Sequence, residues 1–266
     1  MTPFATLARA TDRLRRDTSG VALIEFAFSL PILLTLGLFG LETANLALIN
    51  LRVSQIALNL ADNASRVGLL NDIQIEQLRE VDMNDVLQAV RNQGQSIGLT
   101  QYGRVTVSSL ENADGTQRIH WQRCIGLIGS PGYTSNYGIT STNGQSSGAN
   151  YDPTAGVNTA SSGDNSAAHP GSVATGAPGQ VGIVGMGDNA ADAVQAPLKG
   201  GVIFVEINYR YQPLLGNAAI IAPLLGTTDK RIHYTASFVI RDNRDLSQLY
   251  NPSPQATPST CDKFTT

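Results

Sequence analysis

From Gly20 to Leu41 the chain reads GVALIEFAFSLPILLTLGLFGL, broken only by Glu25, Ser29, Pro31 and Thr35. An apolar run of about 21 residues, at about 1.5 Å of helical rise each, spans a hydrocarbon core of about 30 Å. Beyond it the pattern becomes periodic. Leu46, Ile49, Val53, Ile56, Leu60 and Ala64 recur at steps of three and four, while Asn45, Asn50, Arg52, Asn59, Asp62 and Arg66 fill the other faces. No Gly or Pro interrupts Leu41 to Val67, and Gly68 supplies a stop. The pattern predicts one helix of about 45 residues, half in lipid and half outside, whose outer stripe needs a sheet to cover it.

Asn71-Asp72 reads as a cap for a helical segment from Ile73 to about Val81, and Asn84 or Asp85 as the start of another through Val90, ending near Gly94 or Gly98. Ile73, Leu78, Val86, Leu87 and Val90 are their core contacts. Strand alternation comes next. Arg104–Leu110 alternates through Val105 and Val107, Gln117–Arg123 through Ile119 and Trp121, and Asn112-Ala113-Asp114-Gly115 supplies a hairpin turn between them. Gly201–Tyr211 sets Ile203, Val205, Ile207, Tyr209 and Tyr211 on one face and Glu206, Asn208 and Arg210 on the other. Arg231–Arg241 repeats the scheme through Ile232, Tyr234, Ala236, Phe238 and Ile240. The expected class is α+β: a long N-terminal helix extending into an exported domain with about four antiparallel strands. Pro213–Leu225, apolar and punctuated by proline, reads as a loop with a short helix or as a contact patch. Gly129–Gly200, dominated by Gly, Ser, Asn, Thr and Ala, reads as a flexible surface insertion. The chain thus divides into a basic leader (1–20), the long helix (21–67), small helices with a first hairpin (68–128), the insertion (129–200), and last strands with a Pro-rich tail (201–266).

Charge sets the topology. Arg9, Arg13, Arg15 and Arg16 precede the apolar run, and the next basic residue is Arg52. The positive-inside rule keeps the N-terminus in the cytoplasm and exports the chain beyond Leu41. The formal net charge of -3 and the confinement of clustered basic residues to that short flank argue against nucleic-acid binding. Cys124 and Cys261 both fall on the exported side, where an oxidising compartment favours a disulfide. It would close a loop of more than about 100 residues, worth about 4–5 kcal/mol of chain entropy. A secretory signal peptide is the rival reading of the N-terminus. The apolar run is long for one, and Thr43-Ala44-Asn45 offers no A-x-A cleavage site.

Glu25 and Pro31 make the run more than an anchor. A carboxylate in lipid costs about 2.5–3.5 kcal/mol at the bilayer centre, and Pro31 removes the ladder bond toward Ala27 and should kink the helix. If the chain were cut after Gly20, Val21 would carry a free α-ammonium able to neutralise Glu25 of a neighbouring helix. Both charges then become tolerable in an assembly or beside a partner helix.

The basic flank, Gly20, Glu25 with Phe26, and the apolar run to Leu41 with Glu42 behind it resemble the TadE-like family of tight-adherence (Flp-type) pilus assembly proteins. The resemblance covers about residues 20–66; VEINYRYQPLL and RDNRDLSQLYNP carry it more weakly into the exported part. It implies cleavage by a prepilin peptidase between Gly20 and Val21, with Phe26 where the family's pseudopilins commonly have Tyr. It also implies an intersubunit charge involving Glu25, a role in assembling a type IV pilus, and an inner-membrane, single-pass location with the C-terminal domain periplasmic or extracellular. The implied partners are the prepilin peptidase, other pseudopilins, platform proteins, the pilus fibre subunit and membrane lipid, and the implied outcome is surface attachment and biofilm formation. The alternatives are an uncleaved single-span scaffold or binding protein, and a domain released by signal peptidase.

No catalytic constellation emerges, and no cofactor is expected. Gly182, Gly185 and Gly187 in VGIVGMGDN lack the strand, helix and lysine of a phosphate loop. His120, His169 and His233 share no ligand spacing; His120 and His233 fall on strand faces opposite the apolar set and read as exposed. Asp188 and Asp192 read as a solvated turn rather than a cation site, and no G-x-S-x-G elbow occurs.

Overall fold

The computed structural model describes residues 19–70, 75–112, 115–138, 157–158, 172–174, 176–177, 182–214, 229–240, 243–246 and 249–266. Several expectations lie outside them: the Arg9–Arg16 flank, the Asn71-Asp72 cap with Ile73, Ala113-Asp114 of the turn, His169, much of the insertion, Pro213–Leu225 from residue 215 onward, and Arg241.

Helix α1 runs from Ser19 to Arg66, 48 residues, and continues through Pro31. Hydroxyls in and just beyond the apolar run turn back onto the helix. Ser29 Oγ donates to Phe26 O at 3.2 Å, Thr35 Oγ1 to Pro31 O at 2.7 Å and Thr43 Oγ1 to Phe39 O at 2.9 Å. Each of these hydroxyl donors is thereby satisfied within the helix, as are Ser54 and Ser65 further along it. The chain forms two compact units; α1 belongs to the first through Ala47 and to the second from Leu48 onward. In the second unit Val53, Ile56, Ala57, Leu60, Ala61 and Ala64 are buried, the stripe that the three- and four-residue spacing predicts.

The segment after α1 differs from expectation. Strand β1 (Leu69–Leu70) pairs with β2 (Glu76–Gln77), and a single helix α2 spans Glu80–Gly94. No helix covers 75–79, and α2 starts a turn before Asn84. Two causes act. Non-local bonds hold residues 76–78 extended: Glu76 N–H to Asn243 O (2.9 Å), Asp245 N–H to Glu76 O (2.9 Å) and Tyr250 N–H to Leu78 O (2.8 Å). The Asp82 carboxylate then accepts the Arg79 N–H (3.2 Å) and the Arg79 guanidinium (2.6 and 2.9 Å), fixing the helix start there. After a 3-10 turn (Gln95–Ile97), Gly98 at φ 61° turns the chain into the short helix α3 (Leu99–Tyr102).

The main sheet contains β3 (Gly103–Glu111), β4 (Arg118–Ile125), β6 (Ser172–Val173), β7 (Gly201–Arg210) and β8 (Arg231–Val239), in the order β6-β4-β3-β7-β8. All pairs are antiparallel. The four long strands are those that the alternation predicts. A small parallel pair joins β5 (Val157–Asn158) to β9 (Leu249–Tyr250). One face of the main sheet carries Val105, Val107, Val205 and Ile207, all fully buried.

The opposite face is buried as well. Thr106, Ser108, Glu206 and Asn208 are each at most 2% exposed. At one end of that face, Tyr137, Ala174, Met186 and Ala196 from the insertion join Leu110, Ile119, Val202 and Phe204 in one apolar cluster. The reading of 129–200 as a flexible surface segment therefore fails for its described parts. Packing onto a preformed sheet face asks for a few well-placed apolar residues, with no period of their own. Backbone anchors assist, among them Ala174 N–H to Gln117 O (2.9 Å) and the reciprocal Met186–Val194 pair.

Candidate functional site

The first candidate is the start of α1. Gly20, Val21, Glu25, Phe26 and Pro31 all lie exposed on this helix. The stretch is long and apolar enough to cross a membrane, and none of its most apolar window is buried. Glu25 has no hydrogen bond or ion pair among the described residues, whereas Glu42 at the end of the run is 1% exposed. Gly20, Gly37 and Gly40 are equally unaccounted for by the fold. A Cβ at each would meet nothing within 4 Å, although helical glycine costs about 1 kcal/mol against alanine. Nothing in the described chain calls for glycine at these places.

The second candidate is the C-terminal strap across the sheet. Cys124 and Cys261 form a disulfide with Cα atoms 4.8 Å apart, the pairing expected from sequence. The Arg104 guanidinium, 1% exposed, holds the same strap. It donates to Gly126 O and Lys263 O at 2.8 Å and to Cys261 O at 2.6 Å, and stacks on the Phe264 ring at 4.5 Å. Cys124 N–H to Ser259 O and Gly126 N–H to Thr265 O (2.7 Å each) complete the attachment. A cavity of about 130 Å³ lies beside it, lined by Arg104, Thr106, Gln122, Cys124, Thr134, Ser135 and Cys261.

The third is a buried polar chain. Glu206 accepts the Asn136 N–H at 3.1 Å and lies 2.8 Å from Asn208 Nδ2. Asn208 Oδ1 lies 2.8 Å from His233 Nδ1, His233 Nε2 lies 2.8 Å from the Tyr137 hydroxyl, and that hydroxyl donates to Asp188 at 2.8 Å. Burial pushes the Glu206 carboxyl up to about 7, against the pull of its bonds from Asn208, Asn136 and Ser135. Burial raises Tyr137, helped by Asp188, and lowers His233, opposed by Asp188. With Glu206 protonated and the Asn208 amide turned over, each link has one donor. Glu206 O–H meets Asn208 Oδ1, Asn208 Nδ2–H meets His233 Nδ1, His233 Nε2–H meets Tyr137, and Tyr137 O–H meets Asp188. With Glu206 ionised and His233 neutral, the run reverses and leaves Tyr137 one proton for two acceptors. A single buried proton thus sets the direction of the chain, and the 3.7 Å approach of His233 to Glu206 is a contact of neutral groups when both hold those forms.

Both strand histidines depart from the exposed reading. His120 is 1% exposed and lies 2.8 Å from Glu111, because the register shift at Ser109/Leu110 makes it the extra residue of a bulge between Trp121 and Ile119. His233 is half-buried because the insertion covers its face. Arg104, Glu206 and Tyr137 carry no local signal that would single them out. Asp188 bonds Tyr137 while Asp192 bonds Asn189, and Gly185 approaches Val194 O, where a Cβ would come within 2.2 Å. The glycine-rich loop thus closes a turn. Among the described residues no group of three His, Cys, Asp or Glu is placed to hold a metal ion. Comparison with family models, curated proteins and solved structures gives no match.

Proposed function

We propose that this chain is a TadE-like, pseudopilin-type protein of the inner membrane that acts without enzymatic chemistry in assembling a tight-adherence type IV pilus. The observation that carries the reading is the continuity of α1. Its first part is apolar, exposed and marked by Glu25, which has no partner among the described residues, and its last turns are buried in an α+β domain tied by a disulfide. Disulfide bonding accords with export of that domain, and the arginine-rich flank with a cytoplasmic N-terminus.

In this reading a prepilin peptidase cuts between Gly20 and Val21. The new ammonium of Val21 then meets Glu25 of an adjacent helix, Phe26 packs beside it, and Pro31 softens the helix for extraction from lipid. Partner pseudopilins, the platform and the fibre subunit supply the adjacent helices. The glycines at 20, 37 and 40 support it, since the packing of the described residues does not use them and close contacts in membranes do. The test is the intact mass and N-terminal residue of the membrane-fraction protein, in cells with and without the peptidase. A peptidase-dependent start at Val21 is expected; a start at Met1 in both strains returns the choice to an uncleaved single-span scaffold.

A further inference from the structure

Helix α1 carries a second apolar stripe where it runs on past the lipid-length stretch. Beyond Leu41 its exposed large apolar side chains are Leu48, Leu51 and Leu58, at 65, 59 and 44% exposure. They fall on one line with Leu41, Ala44 and Gln55, which are exposed too, at alternating steps of three and four. Thr43, Asn50, Arg52, Asn59 and Asn63, exposed on the other sides of the helix, are polar. With about 3.6 residues per turn, the line faces away from Val53, Ile56, Leu60 and Ala64, the stripe that the domain buries. The helix therefore has two separate apolar directions, and the fold of one chain uses a single one of them.

Lipid does not account for the second direction. At about 1.5 Å per residue Leu51 and Leu58 stand about 15 and 25 Å past Leu41, whereas the headgroup layer outside the hydrocarbon is about 5–8 Å deep. Leucines exposed in a line at that height mark a protein contact. The spacing says of which kind. Steps of three and four repeat every seven residues, the seam of a left-handed coil of two helices. In sequence the same steps continue back through the apolar run as Gly37, Leu34, Leu30, Ala27 and Leu23. A partner for the whole line is a helix that crosses the same membrane in the same direction and runs on for about 25 Å beyond it.

We propose that this partner is a second copy of the chain, the two α1 helices packing in parallel along Leu41, Ala44, Leu48, Leu51, Gln55 and Leu58. A copy meets each demand. It has the required length, and a shared membrane topology makes the pair parallel. Gln55, the one polar residue of the seam, faces Gln55 of the copy, where the two amides bond each other. An apolar residue of a foreign helix would leave that amide without a partner. Charge raises no obstacle. Arg52 flanks the seam, and the position that meets it on the copy, five residues earlier, is Ala47. Asp62, next in line, is bound by Arg66 of its own helix at 2.7 Å, so the seam closes at Leu58 without a bare like-charge pair. The common membrane keeps the two helices close, so a short seam suffices. The pairing rests on the single-span topology proposed above, and on neither the cut after Gly20 nor a pilus.

The test uses the full chain in membranes with its native disulfide intact. Side chains of the seam meet across a parallel coil, so mild oxidation is expected to join Leu51→Cys, and separately Leu58→Cys, into covalent dimers. Asn50→Cys, at nearly the same height but turned about 100° away, is expected to give none. Leu51→Lys/Leu58→Lys sets like charges in the seam. It is expected to halve the protein mass that light scattering reads in detergent micelles, with unchanged circular dichroism, because both leucines are exposed in the single chain. Cross-linking of both seam variants no greater than that of Asn50→Cys overturns the proposal. So does a monomeric wild type in micelles, or a cross-link from Leu51→Cys to a different protein in place of the copy. If the double lysine variant unfolds, the cysteine comparison alone decides. A dimer whose chains start at Met1 upholds the pairing without the pilus function, and a start at Val21 without a dimer does the reverse.

Discussion

Glu80 at the start of α2 and Arg123 in β4 form an ion pair in which both side chains are 0% exposed. Arg123 Nε lies 2.9 and 3.1 Å from the two carboxylate oxygens, and Nη1 donates to Gln122 O at 2.6 Å. The pair ties helix to sheet. Removing one partner strands a buried charge, so Glu80→Ala is expected to cost about 3–5 kcal/mol, while the double change Glu80→Leu/Arg123→Met is expected to recover most of it. Urea denaturation of the full chain in detergent, followed by near-ultraviolet circular dichroism, reads both. A double variant as weak as the single one would show that packing, and not the stranded charge, sets the cost.

The C-terminal strap is held twice, by the Cys124–Cys261 bond across 137 residues and by Arg104. Loss of the disulfide by Cys124→Ala/Cys261→Ala is expected to cost about 4–5 kcal/mol on the loop-closure model. Arg104→Met leaves buried carbonyls unpaired, at about 1–3 kcal/mol for each. Because both hold one segment, the costs should be less than additive: Arg104→Met is expected to matter less once the cysteines are gone. Thermal midpoints of the four proteins in the cycle measure this, and strict additivity would show that the two fastenings act on separate structures.

The elements legible in sequence are those whose signal is local. The stripe from Val53 to Ala64 and the alternation of Val105–Val107 and Ile203–Tyr209 name a helix and strands because burial on one side imposes the period. The disulfide was legible by count, since two cysteines offer one intramolecular pairing. Features without a sequence signal depend on remote partners. Residues 76–78 look helical until Asn243 and Tyr250 take their backbone groups. The polar face of β7 looks solvated until Thr134, Asn136, Tyr137 and Met186 meet it. His120 looks like an exposed alternate position because a bulge cannot be read from one strand. Arg104 and Glu206 sit where strands usually show charge to water, so their burial had no sequence mark.

Glu206 gives the domain a pH dependence with a definite sign. Its folded pKa of about 7 stands above the ordinary 4.5, so the folded chain keeps a proton that the unfolded chain has released. Stability from this group is full below about pH 4.5 and falls by about 3 kcal/mol as pH rises through 7. His233 acts oppositely: its lowered pKa gives stability present above 6.5 and lost as pH falls through the folded value. The groups facing the pair are Asn208, Asn136, Ser135, Tyr137, Asp188 and Arg231. Glu206→Gln is expected to flatten the decline between pH 5 and 8, read as thermal midpoints against wild type. An unchanged slope would show that Glu206 is ionised throughout.

Glu25 separates the proposed function from a simple anchor. A carboxylate in lipid costs about 2.5–3.5 kcal/mol at mid-bilayer and less toward the edge, and it has no partner among the described residues of its own chain. If the Val21 ammonium of a neighbouring subunit supplies the partner, Glu25→Gln removes the attraction and leaves an ammonium unpaired in lipid. Incorporation and pilus assembly should then be lost, while the exported domain, whose core lies far along α1, keeps its disulfide and its melting behaviour. In an uncleaved anchor the same change eases insertion and alters little else. Surface pili and membrane-fraction stability, measured together for Glu25→Gln and wild type, distinguish the two. Normal piliation by the variant would remove the charge pair from the mechanism.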